Sequence, residues 1–205
     1  MSNFLSVATV TAGLQELLQR AVGADVAGAK VRTDRPDAKR EAGDAIVNIF
    51  LYQVVTNAAL ANTDVPTRRS GGSLVQRPRA AIDLHYLISF YGDDSELEPQ
   101  RMLGSAVAAL HAEPVITADL IDAVVTGATA NVGAVHPSLA LTDLADAEPV
   151  RLCPLPLDLE QLSRVWSIMF QTPYALSISW KASVVLVERG ETSEPAPPVT
   201  SPAPD

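Results

Sequence analysis

Apolar residues recur along this chain with two periods, one of three to four residues and one of two, and the two alternate in separate blocks. Val7, Val10, Leu14, Leu17, Leu18 and Ala21 keep helical spacing and predict an amphipathic helix over 5–21, with Gly23 as its stop. A short strand is expected around Val31 before Pro36 breaks it. Residues 45–55 are β-branched and aromatic with apolar positions on both sides, which predicts a central strand covered on both faces. Over 80–91, Ile82, Leu84, Tyr86, Ile88 and Phe90 alternate with a more mixed set, giving a second strand. Gly92-Asp93-Asp94 turns the chain. A helix over 98–112 follows, with Pro99 in its first turn, Met102, Leu103, Ala106, Val107 and Leu110 on its apolar face, and Pro114 beyond its end.

The remaining blocks are shorter. A short helix is expected over 117–126 and a short strand over 151–155, with 127–148 irregular between them. Asp158 and Gln161 form a capping-box pair ahead of a helix over 159–170, whose inward face would be Leu159, Leu162, Val165, Trp166, Met169 and Phe170. Residues 174–187 alternate as one long strand and are the candidate for an exposed sheet edge. Separated blocks of the two periods predict an α/β (α+β) fold: a single mixed or mainly antiparallel sheet flanked by helices. Residues 1–189 form one domain on this reading. The last stretch, 190–205, holds five prolines and no aromatic residue, so it is expected to be a disordered tail.

Charge adds one feature. The 205 residues carry a net −9, against the basic clustering that nucleic acid or an anionic membrane demands, so neither is expected as a partner. Yet residues 30–79 hold nine Lys and Arg against five acids, a local +4, while 80–205 hold five against seventeen, a local −12. The chain is thus dipolar along its length, which suggests two unlike faces. No apolar run is long enough to span a membrane and no secretion signal opens the chain, so a cytoplasmic protein is expected.

Candidate chemistry is sparse. Cys153 is the only cysteine and has no partner for a disulfide. His85, His111 and His136 stand at no metal-ligand spacing. Asp93-Asp94 lies in a turn, where such acids are solvated and cap helices. Gly71-Gly72 lacks the Gly-Lys-Ser/Thr of a phosphate loop, and no Gly-x-Ser-x-Gly occurs. No catalytic residue, metal or cofactor is expected. The exception in the polar regions is the long connection between the two core strands, where Arg68, Arg69, Arg77 and Arg79 face a lone Asp64 over 62–79. A basic loop of that length reads either as a solubilising connector or as a contact arm for an acidic partner.

Several strings in order carry a family resemblance. Val47-Asn48-Ile49-Phe50-Leu51-Tyr52-Gln53-Val54 leads through Asn57-Ala58-Ala59-Leu60-Ala61-Asn62 to Ile82-Asp83-Leu84-His85-Tyr86-Leu87 and Tyr91-Gly92. Then come Arg101-Met102-Leu103-Gly104, Leu110-His111-Ala112-Glu113-Pro114-Val115, Leu159-Glu160-Gln161-Leu162-Ser163-Arg164-Val165-Trp166, and Phe170-Gln171-Thr172-Pro173-Tyr174. Over 5–188 the chain resembles the N-terminal domain of the cap proteins of extracellular contractile injection systems. The resemblance implies a tail-terminator-like subunit in a six-fold ring, seated on the last tube and sheath layers of a virion-like particle assembled in the cytoplasm. It implies no catalytic residues, tube and sheath proteins and copies of itself as partners, and room for a second cap protein, because larger members carry more chain after this domain. Without the resemblance, the same residues also suit a soluble α/β interaction module or an enzyme on a small cofactorless scaffold.

Overall fold

This computed structural model describes residues 4–36, 43–60, 79–130, 136–142, 144, 149–169 and 172–188. The expected tail, Phe170, Arg68, Arg69 and Arg77 lie outside the described residues. Four helices and six strands run in the order α1 (Ser6–Asp25), β1 (Lys30–Arg32), β2 (Ile46–Thr56), β3 (Arg79–Tyr91), α2 (Glu98–Ala112), β4 (Val115–Ile116), α3 (Ala118–Ala130), β5 (Val150–Pro154), α4 (Leu159–Ile168) and β6 (Leu176–Glu188). Short 3-10 turns stand at Asp94–Glu96 and Pro137–Leu141.

The strands form one sheet in the order β1-β2-β3-β6-β5-β4. β1 and β2 are parallel; every other pair is antiparallel. The mixed sheet expected from the sequence is therefore present, built on three long strands. β3 and β6 pair from Arg79↔Glu188 to Phe90↔Leu176, and β2 pairs with β3 from Ile46↔Tyr91 to Thr56↔Ile82. The flanking strands are short, so β1 covers only 46–48 of β2, and beyond that point β2 pairs with β3 alone among the described residues. This limits one expectation: the first half of β2 is buried, but Val54 and Val55 at its far end are exposed. β6 is not a sheet edge either. It lies between β3 and β5, with β5 registered against its middle at Ser183, Ala182, Lys181 and Trp180.

One face of the sheet carries most of the core. Val10, Leu14, Leu17 and Leu18 of α1 and Met102, Ala106 and Leu110 of α2 pack on Val47, Ile49, Leu84, Ile88 and Phe90. α1 continues through Gly23 to Asp25, because Val26 stands one turn after buried Val22 and docks in the same cluster. The reversal comes at Gly28, where φ is +80°, a value glycine adopts without a Cβ clash. At the centre of this face Thr11 Oγ1 donates to the Val7 carbonyl and accepts from the buried Tyr86 hydroxyl at 2.9 Å. Burial, opposed in part by that bond, pushes Tyr86 ionisation well above its ordinary value, so the phenol stays a donor.

The second face is covered more thinly. α4 begins with the expected capping box: the Asp158 carboxylate accepts from the Gln161 amide at 2.7 Å, and the Gln161 side chain accepts from the Asp158 N–H at 3.0 Å. Trp166 packs with Leu87 and Ala175, flanked by Tyr52, Tyr91, Leu162, Val165 and Met169. Leu159 is not inward as expected but 83% exposed. As the first helical residue it lies nearly two turns before Trp166, past the end of the sheet contact.

Three substitutions test these layers. Leu18→Ala empties a fully buried site and should cost about 2–5 kcal/mol in denaturant unfolding. Trp166→Ala should cost about 3–5 kcal/mol. Trp166→Phe should cost clearly less, since the indole N–H is buried without a hydrogen-bond partner. Equal melting temperatures for wild type and Trp166→Ala would place α4 off the sheet.

Candidate functional site

The long loop singled out in the sequence leaves and rejoins the sheet at the far end of β2 and β3, and that end is held by polar side chains. Asn57 closes the turn after β2: its N–H donates to the Ala81 carbonyl at 2.9 Å, and its Oδ1 accepts from the amides of Ala59 and Leu60. Its Nδ2 donates to Asp83 Oδ1 at 2.9 Å. Asp83 also accepts from the Ser183 hydroxyl at 2.6 Å and stands 3.4 Å from Lys181 Nζ. Burial pulls the Asp83 pKa upward, but the Ser183, Asn57 and Lys181 contacts together outweigh it and hold the carboxyl below 3.8.

Of the four arginines named from the sequence, Arg79 is the one the structure describes. It opens β3 as an exposed-to-half-buried strand residue, and its Nε pairs with Glu188, whose side chain is only 5% exposed. The charges at this end thus match one another across β3 and β6: Arg79 with Glu188, and Lys181 with Asp83. No spacing in the sequence announces this, because the partners lie about a hundred residues apart and meet only through the antiparallel register.

Three clefts open elsewhere. The first, about 500 Å³, lies between α1, the second half of α3 and β1, with Gln15, Gln19, Lys30, Arg32, Val124 and His136 on its walls. The second, about 510 Å³, is bordered by Asp44, Tyr91, Asp94, Pro99 and Tyr174. The third, about 360 Å³, runs between 154–157, Leu162 and Trp180. The histidines have ordinary neighbours: His85 stands 3.3 Å from Gln53, His111 lies edge-on to Trp180, and His136 contacts Gln15. His85 is held below its usual pKa by burial, and Lys181 adds to that while Asp83 opposes it. Cys153 is half-buried. Among the described residues no three His, Cys, Asp or Glu side chains gather as a metal site, and no helix is long and apolar enough to cross a membrane.

The first cleft was not visible in the sequence, and its outer wall shows how this sheet ends. Gln15 Nε2 donates to the Val31 carbonyl at 2.9 Å, Val31 N–H donates to Gln19 Oε1 at 2.8 Å, and Gln19 Nε2 donates to the Ala29 carbonyl at 3.1 Å. Two side-chain amides of α1 therefore occupy the outward peptide groups of β1, which an edge strand otherwise offers to a foreign strand. Lys30 and Arg32 flank this lock and form no ion pair among the described residues.

The polar network at the loop's root has a measurable signature. Asp83→Ala should cost about 1–3 kcal/mol by stranding the Asn57 amide and the Ser183 hydroxyl. Because the carboxyl is depressed in the fold, its contribution is present above the ordinary carboxylate pKa and is lost as pH falls below 3.8. Asp83→Asn should therefore flatten that part of the acid-unfolding curve, and an unchanged curve would show the network to be idle.

Comparison with known proteins bears on the family and the fold. None of the curated proteins matches the chain. Among solved structures it is similar to the sheath/tube terminator, in the extended state, of the extracellular contractile injection system PVC, with a TM-score of 0.61 and 17% identity. That likeness covers 97% of this chain and 62% of the other. It is also similar to the tube-terminating cap of the anti-feeding prophage, with a TM-score of 0.59, 17% identity and coverage of 96% and 60%. The chain thus spans less than two thirds of either neighbour, and at this identity the likeness speaks for the fold. The model of the Pvc16 N-terminal domain matches residues 9–201, nearly the whole sequence, and the chain accordingly belongs to the Pvc16 N-terminal domain family.

Proposed function

We propose that this protein is a structural subunit of the cap that ends the inner tube and contractile sheath of a phage-tail-like injection particle. The observation that carries the reading is the family match over 9–201 together with a terminator-like fold over 97% of the chain. Tube and sheath proteins are its partners on this reading, and copies of the chain sit as a six-fold ring at the particle end. A second cap protein is a further partner on the same reading. The work is mechanical. A terminator stops growth of a stacked polymer by presenting one face that fits the last layer and another that does not, which the unequal charge of the two halves of the chain supports.

In a producing cell, deletion of the chain should give tubes and sheaths of irregular length, with uncapped ends in electron micrographs. Particles of normal length and closed ends without it would sink the reading. Within it, the basic loop over 62–79 is the arm that meets tube or sheath carboxylates. Replacing Arg68, Arg69, Arg77 and Arg79 with Ser should leave the domain folded but less stable, because Arg79→Ser strands the buried Glu188 carboxylate, a loss that the Arg68/Arg69/Arg77 triple variant avoids. The same change should weaken docking to particle ends, and the wild-type contact should weaken as salt rises. Normally capped particles from the fourfold variant would reduce the loop to a solvated connector.

A further inference from the structure

The two ends of the sheet carry opposite charge. At the β1 end stand Lys30, Arg32 and Arg35, with Asp34 the acid among them and already accepting from the Asn48 amide at 2.8 Å. Lys30 and Arg32 line the 500 Å³ cleft. The neighbouring acid on α1, Glu16, is taken by Arg20 at 2.8 Å. At the β4 end stand Glu113, just before that strand, and Asp119 and Asp122, one turn apart at the start of α3. All three are exposed and in no ion pair among the described residues; Arg151, registered against Val115, is the cation nearby. β1 and β4 are the two terminal strands of the same sheet. α3 connects them, since it starts beside β4 and its second half walls the cleft beside β1.

We infer that copies of this chain join head-to-tail through these two ends, Lys30 and Arg32 of one copy meeting Glu113, Asp119 and Asp122 of the next. The inference rests on the ring reading above and names the contact that builds it. Three observations carry it. One sign predominates at each end, Asp34 apart at the basic end and Arg151 apart at the acid end, so like ends tend to repel and unlike ends to attract, which favours a heterologous contact over a two-fold one. The backbone of β1 is closed by Gln15 and Gln19, and β4 has only two residues, so neither end can join by adding strands and side chains must make the contact. The cation end is concave and the acid end is a helix start, so one can seat in the other. Acids at a helix N-terminus are also favoured by its dipole, and Asp119 stands in the first turn of α3.

Exposed ion pairs are individually weak, so the contact should depend on several of them and on salt. The test is charge exchange, with assembly read by mass-resolved gel filtration and by imaging of rings, alone and on purified tube. Lys30→Glu/Arg32→Glu should fold with an unchanged melting temperature yet lose ring association by more than about tenfold, and Asp119→Lys/Asp122→Lys should do the same. An equal mixture of the two variants should form rings again, because each altered end then meets its opposite, and so should the chain carrying all four changes. Rings that persist in either variant, or variants whose mixture stays unassembled, overturn the contact while leaving the cap reading intact. Wild-type protein that forms no ring even on tube overturns both.

Discussion

The packing of α1 across the long strands is the interaction on which the rest of this structure depends. Its apolar stripe supplies Val10, Leu14, Leu17, Leu18 and Val22 to the core. Its polar flank supplies Thr11, which receives the Tyr86 hydroxyl, and Gln15 and Gln19, which close β1. Hydrophobic burial alone would hold a helix on a sheet without fixing how far it slides. The buried hydroxyl pair and the two amides fix that position, because any shift leaves polar groups without partners at a cost of about 1–3 kcal/mol each. Once α1 is placed, α2 can fill the groove beside it and α3 can lie over it, leaving the cleft between them.

This arrangement explains which parts of the molecule were legible in the sequence. The helix over 98–112 and the capping box at Asp158 and Gln161 were readable because both are local: their signals span fewer than five residues per turn or cap. The long strands were readable because each carries its own alternation. What the sequence hid is set by distant pairing. β4 is two residues long and exists only because β5 lies beside it, and β6 looks like an edge until the short β5 is registered against its middle. Leu159 reads as inward by period, yet it stands where α4 has run past the sheet. α1 overruns Gly23 because buried Val22 and Val26 outweigh the roughly 1 kcal/mol preference against glycine in a helix.

The candidate site was legible to a similar depth. Composition drew attention to four arginines, and the fold places Arg79 in a strand, bound to Glu188. The Asp83 network had no sequence signal, since its partners come from elements far apart in the chain, nor did the placing of Lys30 and Arg32 beside the cleft. On the cap reading, function is a property of surfaces set by topology. A family resemblance reaches such surfaces where a motif search, designed for chemistry at fixed spacing, finds nothing to hold.

The stretch of β2 beyond β1 bears on how the isolated protein behaves in solution. From 49 to 56 its outer peptide groups have no strand beside them among the described residues, the side chains carry no charge, and Val54 and Val55 are exposed. A register shift at Leu51/Gln53 is the one local irregularity that disturbs this row. The net charge of −9 keeps molecules apart on average, but it is spread over the rest of the surface and does not guard this segment. Colloidal stability of such a surface follows from these eight residues as well as from the isoelectric point. An uncharged, part-unpaired strand of this kind is the surface through which molecules at high concentration would pair, at pH values where the bulk charge would promise solubility.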